Sequence, residues 1–320
     1  QQRNISKEAT EGKATTFNGR VGHDLAKIKA PEGMEVRINK PNWHILVDEM
    51  SGFKRSAFFE TKSGMIDYMC NLMHSEAERG YPIRVLRQDN AGENVKLVKT
   101  AKGKDWKLTF DVENTARKTP QQNSLAETSF TIIAAQARCM LIAGQVPSEE
   151  RFKLWPEAAK TATHLNNLMP VTIDDVTKTR WEWAGYEVPK WTKNLCTFGK
   201  AGVVKEGKQG KVLDRGITMM FVGYSENHAE KVFRMYHQET SRIVQTRDVI
   251  WMGRMYHTRQ NADLTQQLPI VTVPISIHDK SDDAEVQQIE VATIPLSEER
   301  GVLNDSSSVE THEWVPVRTR

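Results

Sequence analysis

The sequence predicts a mixed α/β domain, then a small antiparallel β module, then a polar acidic tail. Three observations carry that reading. Apolar runs and one long helical stripe alternate through the first half in the order strand, hairpin, helix, strand. Between residues 195 and 256 the pattern changes to short strand-like runs separated by Gly-containing turns. From about residue 260 the Val/Ile/Pro alternation gives way to Asp, Glu and Ser, a composition unable to bury enough apolar surface to order itself.

In order, residues 1–20 are a polar leading segment and residues 21–28 a short strand containing Asp24. A Pro31-Glu32-Gly33 turn precedes two apolar runs, residues 43–47 and 53–59, which form a hairpin with a longer loop. Residues 63–79 form a helix with Met65, Met69, Leu72 and Met73 on one face, a stripe that predicts core. Residues 83–87 form a buried strand running out at Asp89, and the lysine-rich piece 96–107 is expected to be a surface loop. Residues 106–111 are a further candidate strand. After the turn-forming Pro120, a helix opens with Glu127 in its first turn and runs to Leu141, where the partial positive charge of the helix start favours the ionised carboxylate. A second long helix covers about 149–168, with His164 in a packing or surface role. Residues 180–189 are an aromatic connector, in which Trp181 and Trp183 are expected to pack between domains. The β module has strand-like runs at 201–205, 217–224, 231–236 and 242–251.

Charge is divided unevenly. Residues 261–320 hold eleven acidic and four basic residues, so the overall +3 conceals about +10 on residues 1–260. A basic body points to a polyanionic partner, with nucleic acid first. Cys70, Cys139 and Cys196 are far apart; the first two sit in apolar helical patterns and predict buried free thiols. No paired Cys/His spacing indicates zinc, and no apolar run approaches the ~18 residues of a membrane span. The chain starts at Gln1 and reads as a piece of a longer one.

Phosphoryl transfer with divalent metals needs carboxylates that hold two hard cations about 3.5–4 Å apart. Glu127 on a helix and Asp89 at a strand end supply two; periodicity leaves Asp24 and Asp48 both open as the third.

The string Arg87-Gln88-Asp89-Asn90-Ala91-Gly92-Glu93-Asn94, with TPQQNSLAET ending just past Glu127, resembles signatures of copia-type (Pseudoviridae-like) retrotransposon integrases, relatives of retroviral integrases. The similarity continues in order through LWPEAAKTATHLNN, LCTFG, FVGYS and RMYHQETSRIVQTRDVIW, covering roughly residues 20–257. Ser124 stands where the family has Gly and Thr128 where it commonly has Arg.

The resemblance implies an RNase H-like integrase catalytic core, a mixed five-stranded sheet with flanking helices, over residues 21–175. Residues 176–258 would be connector and basic β module, and 259–320 an acidic disordered linker or tail. It selects Asp24 as the first acid, so that Asp24, Asp89 and Glu127 would bind two Mg²⁺ (or Mn²⁺), with no zinc site in this chain. The implied activity is a polynucleotidyl transferase of the DDE type, part of a Gag-Pol polyprotein. The 3′-hydroxyl of an element cDNA end would attack a phosphodiester of host target DNA. Arg117 and Lys118 would lean on phosphates and Gln121, Gln122 and Asn123 would contact the donor DNA, their bland role being turn formation and capping. The implied partners are double-stranded DNA and further copies of the chain, and the implied setting is the nucleus, with particle assembly in the cytoplasm. A decayed or domesticated DNA-binding copy, a transposase or nuclease on the same core, and an interaction protein with structural acids are the alternatives.

Overall fold

The computed structural model describes residues 12–30, 38, 40–114, 124–205, 216–226, 230–257 and 271–272. The expected tail, the leading residues before 12 and the stretch 115–123 lie outside them. The described residues belong to one packed unit, residues 1–277.

The first sheet is built from β1 (Arg20–Ile28), β2 (Asn42–Asp48), β3 (Lys54–Phe59), β4 (Val85–Gln88) and β5 (Asp111–Asn114), in the spatial order β3-β2-β1-β4-β5. β1, β2 and β3 form an antiparallel meander, while β4 lies parallel to β1 and β5 parallel to β4. A short β13 (Val271–Thr272) pairs with the far end of β1 at Lys27 and Ile28. Alternation along the strands divides the core in two. Ala26, Ile28, Trp43, Ile45 and Val47 face α3 (Ser124–Ala143) and α4 (Ser148–Asn166). Val21, Leu46 and Leu86 face α1 (Gly64–Glu78) and α2 (Gly92–Ala101). This three-layer α/β/α arrangement is the mixed five-stranded sheet with flanking helices expected of an RNase H-like core.

Several elements differ from expectation. The lysine-rich piece is not a loop throughout: α2 runs to Ala101, because Asn94, Leu97 and Ala101 recur at helical spacing and bury one face beneath the lysines. β5 begins at Asp111 rather than Trp106, whose ring instead meets His74 edge-on beside the second core. A hairpin not expected from sequence, β6 (Pro170–Ile173) and β7 (Val176–Thr179), precedes the one-turn α5 (Arg180–Trp183) of the aromatic connector. Trp181 packs on Phe53 and Tyr186, and the Trp183 indole N–H donates to Val171 O. Cys70 is buried, but Cys139 is exposed on the outer side of α3. α3 is also long and apolar enough over Leu125–Ala143 to cross a membrane by length and composition, contrary to the reading from sequence. Its apolar side is taken up by the sheet, with Ala126, Phe130, Ile133, Ala137 and Leu141 fully buried there.

The second sheet has the order β11-β10-β9-β8-β12 and is antiparallel throughout. Its strands are β8 (Lys200–Lys205), β9 (Gly216–Tyr224), β10 (Phe233–His237), β11 (Arg242–Thr246) and β12 (Val249–Met255). The expected strand over 242–251 is two strands, broken after Thr246, where the Asp248 N–H turns back to the Thr246 hydroxyl.

Candidate active site

Asp24 sits in the middle of β1, on the face that carries Ala26 and Ile28 toward α3 and α4. Asp89 follows the last residue of β4. The parallel register pairs Arg20 with Val85, Val21 with Leu86 and Gly22 with Arg87. Two residues further along each chain stand Asp24 and Asp89, so the same offset sets them level on neighbouring strands. Glu127 lies in the first turn of α3, the helix packed over β1 and β2. Three carboxylates from three elements are thus directed to one end of one face.

Electrostatics shows that they feel one another. The Asp24 carboxyl is raised to about 6, chiefly by burial and further by the charges of Asp89 and Glu127, against a 2.7 Å hydrogen bond from the Leu25 N–H. Burial also raises Glu127 above the ordinary glutamate range. Asp89 is held in a turn: its Oδ1 accepts from the Ala91 N–H at 3.0 Å and from Asn94 Nδ2 at 2.6 Å. Only one oxygen of Asp24 and one of Asp89 is taken up by these contacts. Among the described residues no lysine or arginine pairs with any of the three acids.

The neighbouring charges are treated differently. Arg20 bridges Glu49 and Glu113 at 3.0 and 2.9 Å, and Arg87 bridges the same two glutamates at 3.4 and 2.8 Å. Among the described residues the Asp24, Asp89 and Glu127 group has no such cationic partner.

Asp48, the other candidate, is committed elsewhere. It ends β2 opposite Val21, at the start of β1, and both of its oxygens are engaged. Oδ1 accepts from the Asn18 N–H at 2.9 Å, while Oδ2 accepts from the Ser51 N–H at 2.7 Å and the Ser51 hydroxyl at 2.6 Å. It closes the hairpin turn. The predicted nucleic-acid contacts Arg117, Lys118, Gln121, Gln122 and Asn123 lie outside the described residues.

An all-oxygen donor set suits a hard divalent cation rather than zinc. The three acids carry the charge excess that such a cation would relieve. They are not drawn into a tight ligand cluster: among the described residues no group of three or more His, Cys, Asp or Glu is close enough to hold a metal ion.

Against known proteins, residues 201–263 match the retroviral polymerase SH3-like domain. That span coincides with the second sheet. Among solved structures the chain is similar to the simian T-cell lymphotropic virus intasome in complex with PP2A regulatory subunit B56 gamma. That match has 16% identity, covers 75% of this chain and 78% of that one, and has a TM-score of 0.38. The magnesium-bound, trimeric form of the HTLV-2 integrase catalytic core domain matches at 14% identity over 53% of this chain and 98% of that one, with a TM-score of 0.37. The chain therefore joins a mixed α/β core to a module that matches the retroviral polymerase SH3-like domain.

Sequence reasoning passed over one feature beside the acids. His23 and Gln88, the residues directly before Asp24 and Asp89, are joined through their side chains on the opposite face of the sheet at 3.1 Å. The signal was strand parity: a residue preceding an inward acid must face the other layer, and both are polar there.

Proposed function

We propose that this chain is the integrase of a copia-type LTR retrotransposon, which inserts element cDNA into host DNA by metal-dependent strand transfer. The observation that carries this reading is that Asp24, Asp89 and Glu127 come from three elements, with Asp89 and Glu127 near enough for their charges to raise the Asp24 carboxyl, and that no lysine or arginine pairs with them among the described residues. The matched SH3-like module and the order of the sequence motifs support it. One similar solved structure is an integrase core with magnesium.

Bound Mg²⁺ or Mn²⁺ would activate the attacking 3′-oxygen and stabilise the leaving oxygen of the target phosphodiester. Asp24, on the rigid central strand, and Asp89, fixed by its own turn, would hold the ions in place. Glu127 would approach from the helix above. Its position at the start of α3 favours the ionised form that a cation needs, against the burial that disfavours it. Arg117, Lys118 and Gln121 to Asn123, leading into that helix, would track the donor backbone. The partners on this reading are double-stranded DNA and further copies of the chain, acting in the nucleus.

Incubating the chain with a labelled donor end and plasmid in Mg²⁺ tests this directly. Joined product is expected from the unmodified chain, with a loss of at least about 100-fold in Asp24→Asn, Asp89→Asn and Glu127→Gln. Activity that survives all three substitutions removes the acids from the mechanism. The acids' failure to form a tight ligand cluster favours a second reading, a copy that binds DNA without joining it. DNA binding with no joined product would establish that one.

A further inference from the structure

A line of polar side chains crosses four strands on the face opposite the acids. His44 on β2, His23 on β1, Gln88 on β4 and Asn114 on β5 stand side by side. His44 Nε2 lies 3.1 Å from His23 Nδ1, and His23 Nε2 lies 3.1 Å from Gln88 Oε1. Gln88 Nε2 donates to Asn114 Oδ1 at 3.5 Å, a long and weak final link. His44, His23 and Gln88 are at most 1% exposed.

Their surroundings make that burial expensive. Val21, Leu46 and Leu86 occupy the same layer, and an apolar residue in place of any of the three would avoid desolvating a polar group. The hydrogen bonds fix the protons. Because Gln88 offers an oxygen, His23 Nε2–H donates to it, so His23 Nδ1 accepts from His44 Nε2–H. The line ends at His44 Nδ1, which has no hydrogen-bond partner among the described residues. Burial holds both rings below the ordinary histidine range, in keeping with two neutral rings.

The location gives the line its meaning. The last paired residues of β1 and β4 are Gly22 and Arg87. One step on are His23 and Gln88, joined by side chains; one step further are Asp24 and Asp89. The side-chain link continues the register past the end of the ladder, at the position that determines whether the two acids are level.

We infer that His23 and Gln88 are positioning residues, a cross-strand staple that holds Asp24 level with Asp89 for cation binding. This rests on the proposed role of the acids. It predicts that breaking the staple weakens metal binding even though neither side chain faces the metal. Residues that orient ligands in this way typically carry 10- to 100-fold of metal affinity or activity.

The test is Mn²⁺ binding by the full chain, followed by electron paramagnetic resonance beside a urea unfolding curve for each variant. Gln88→Met and His23→Leu are expected to weaken Mn²⁺ binding about tenfold or more. His23→Gln, whose amide can donate to Gln88 Oε1, is expected to recover most of that loss. Leu86→Ala, a lesion in the same strand and layer with no polar link, is expected to lower stability and leave Mn²⁺ affinity unchanged. Gln88→Asn is the milder break if Gln88→Met does not fold. Wild-type Mn²⁺ affinity in folded Gln88→Met or Gln88→Asn overturns the inference, as does a loss in Leu86→Ala equal to theirs. Asp24→Asn and Asp89→Asn separate the two levels: if they too bind Mn²⁺ normally, the acids are not the metal site and the proposed function fails with the staple.

Discussion

Burial leaves Asp24 with a carboxylate that the folded state disfavours. Its carboxyl is raised to about 6, mainly by burial, whereas an unfolded aspartate titrates near its ordinary value of 3.8. Between those values the folded state holds more protons than the unfolded state, so stability falls as pH rises from about 4 to 6 and stays reduced above. At ~1.4 kcal/mol per unit, the penalty at neutral pH is on the order of 2–3 kcal/mol. Asp24→Asn keeps the acceptor for the Leu25 N–H and removes the charge. It should therefore stabilise the metal-free protein by roughly 1–3 kcal/mol at pH 7 and by nearly nothing below pH 4, while abolishing strand transfer. Urea midpoints at the two pH values decide it; equal midpoints for mutant and wild type at pH 7 would show that Asp24 is not strained. Burial raises Asp48 as well, but there hydrogen bonds from Ser51 and from the Asn18 N–H oppose the rise. The placement of the three acids, within a strand, at a strand end and in a first helical turn, was legible in sequence. The choice between Asp24 and Asp48 was not legible from periodicity, because both lie in apolar strands and only strand pairing shows which face each takes.

At the scale of elements, the join between α3 and β8 depends on two glycines. Gly144 follows α3 directly, and Gly199, at φ +86°, precedes β8. A Cβ on Gly199 would lie 2.6 Å from Gly144 Cα, and one on Gly144 would lie 2.9 Å from Phe198 O. Neither obstacle is the end of a flexible side chain, so the backbone itself would have to move. Gly199→Ala combines that clash with a left-handed backbone and should destabilise by about 2–4 kcal/mol in urea unfolding, with no change in slope. A loss below about 0.5 kcal/mol would mean the two backbones separate freely. LCTFG stood out in sequence only as one of the family-like strings, because close approach between distant glycines leaves no periodicity. α2 was obscured for another reason: lysines at 96, 99, 102, 104 and 107 dominate the eye, while three buried positions determine the element.

For the molecule as a whole, the question is whether the SH3-like module is tethered to the core or built into it. One stripe of α4 answers. Residues 150, 157, 161 and 164 fall on one side of the helix, and each reaches the second sheet or its exit. Glu150 accepts from Gln238 Nε2 at 2.5 Å and faces His257 at 3.5 Å. Glu157 pairs with Arg234 at 2.5 Å, and the Thr161 hydroxyl donates to Val222 O at 2.8 Å. His164 meets Glu226 at 2.5 Å, with Lys160 3.4 Å from the same oxygen. Beneath the stripe, Met220, Val222 and Tyr236 of the module share one core cluster with Trp155, Ala158 and Ala162. Core and module should therefore unfold in one transition, with calorimetric and van't Hoff enthalpies in agreement; two separated heat-capacity peaks would refute this. The polar rim is worth less than the shared core. Glu226 is held at about 2: burial pushes its pKa up, and the His164 and Lys160 contacts outweigh it. A depressed acid stabilises the fold above its unfolded pKa near 4.5 and loses that contribution as pH falls toward about 2. Its side chain is 45% exposed, so solvent screens the pair and the full shift does not translate into stability. Glu226→Gln should cost less than about 1 kcal/mol at pH 7, and the difference should vanish near pH 2. Ala162→Asp, which places an unpaired charge in the shared core, should cost more than about 3 kcal/mol and lower the single transition as a whole. If that substitution instead separates a module transition from a core transition, the stripe on α4, rather than the apolar cluster, is what binds the two parts.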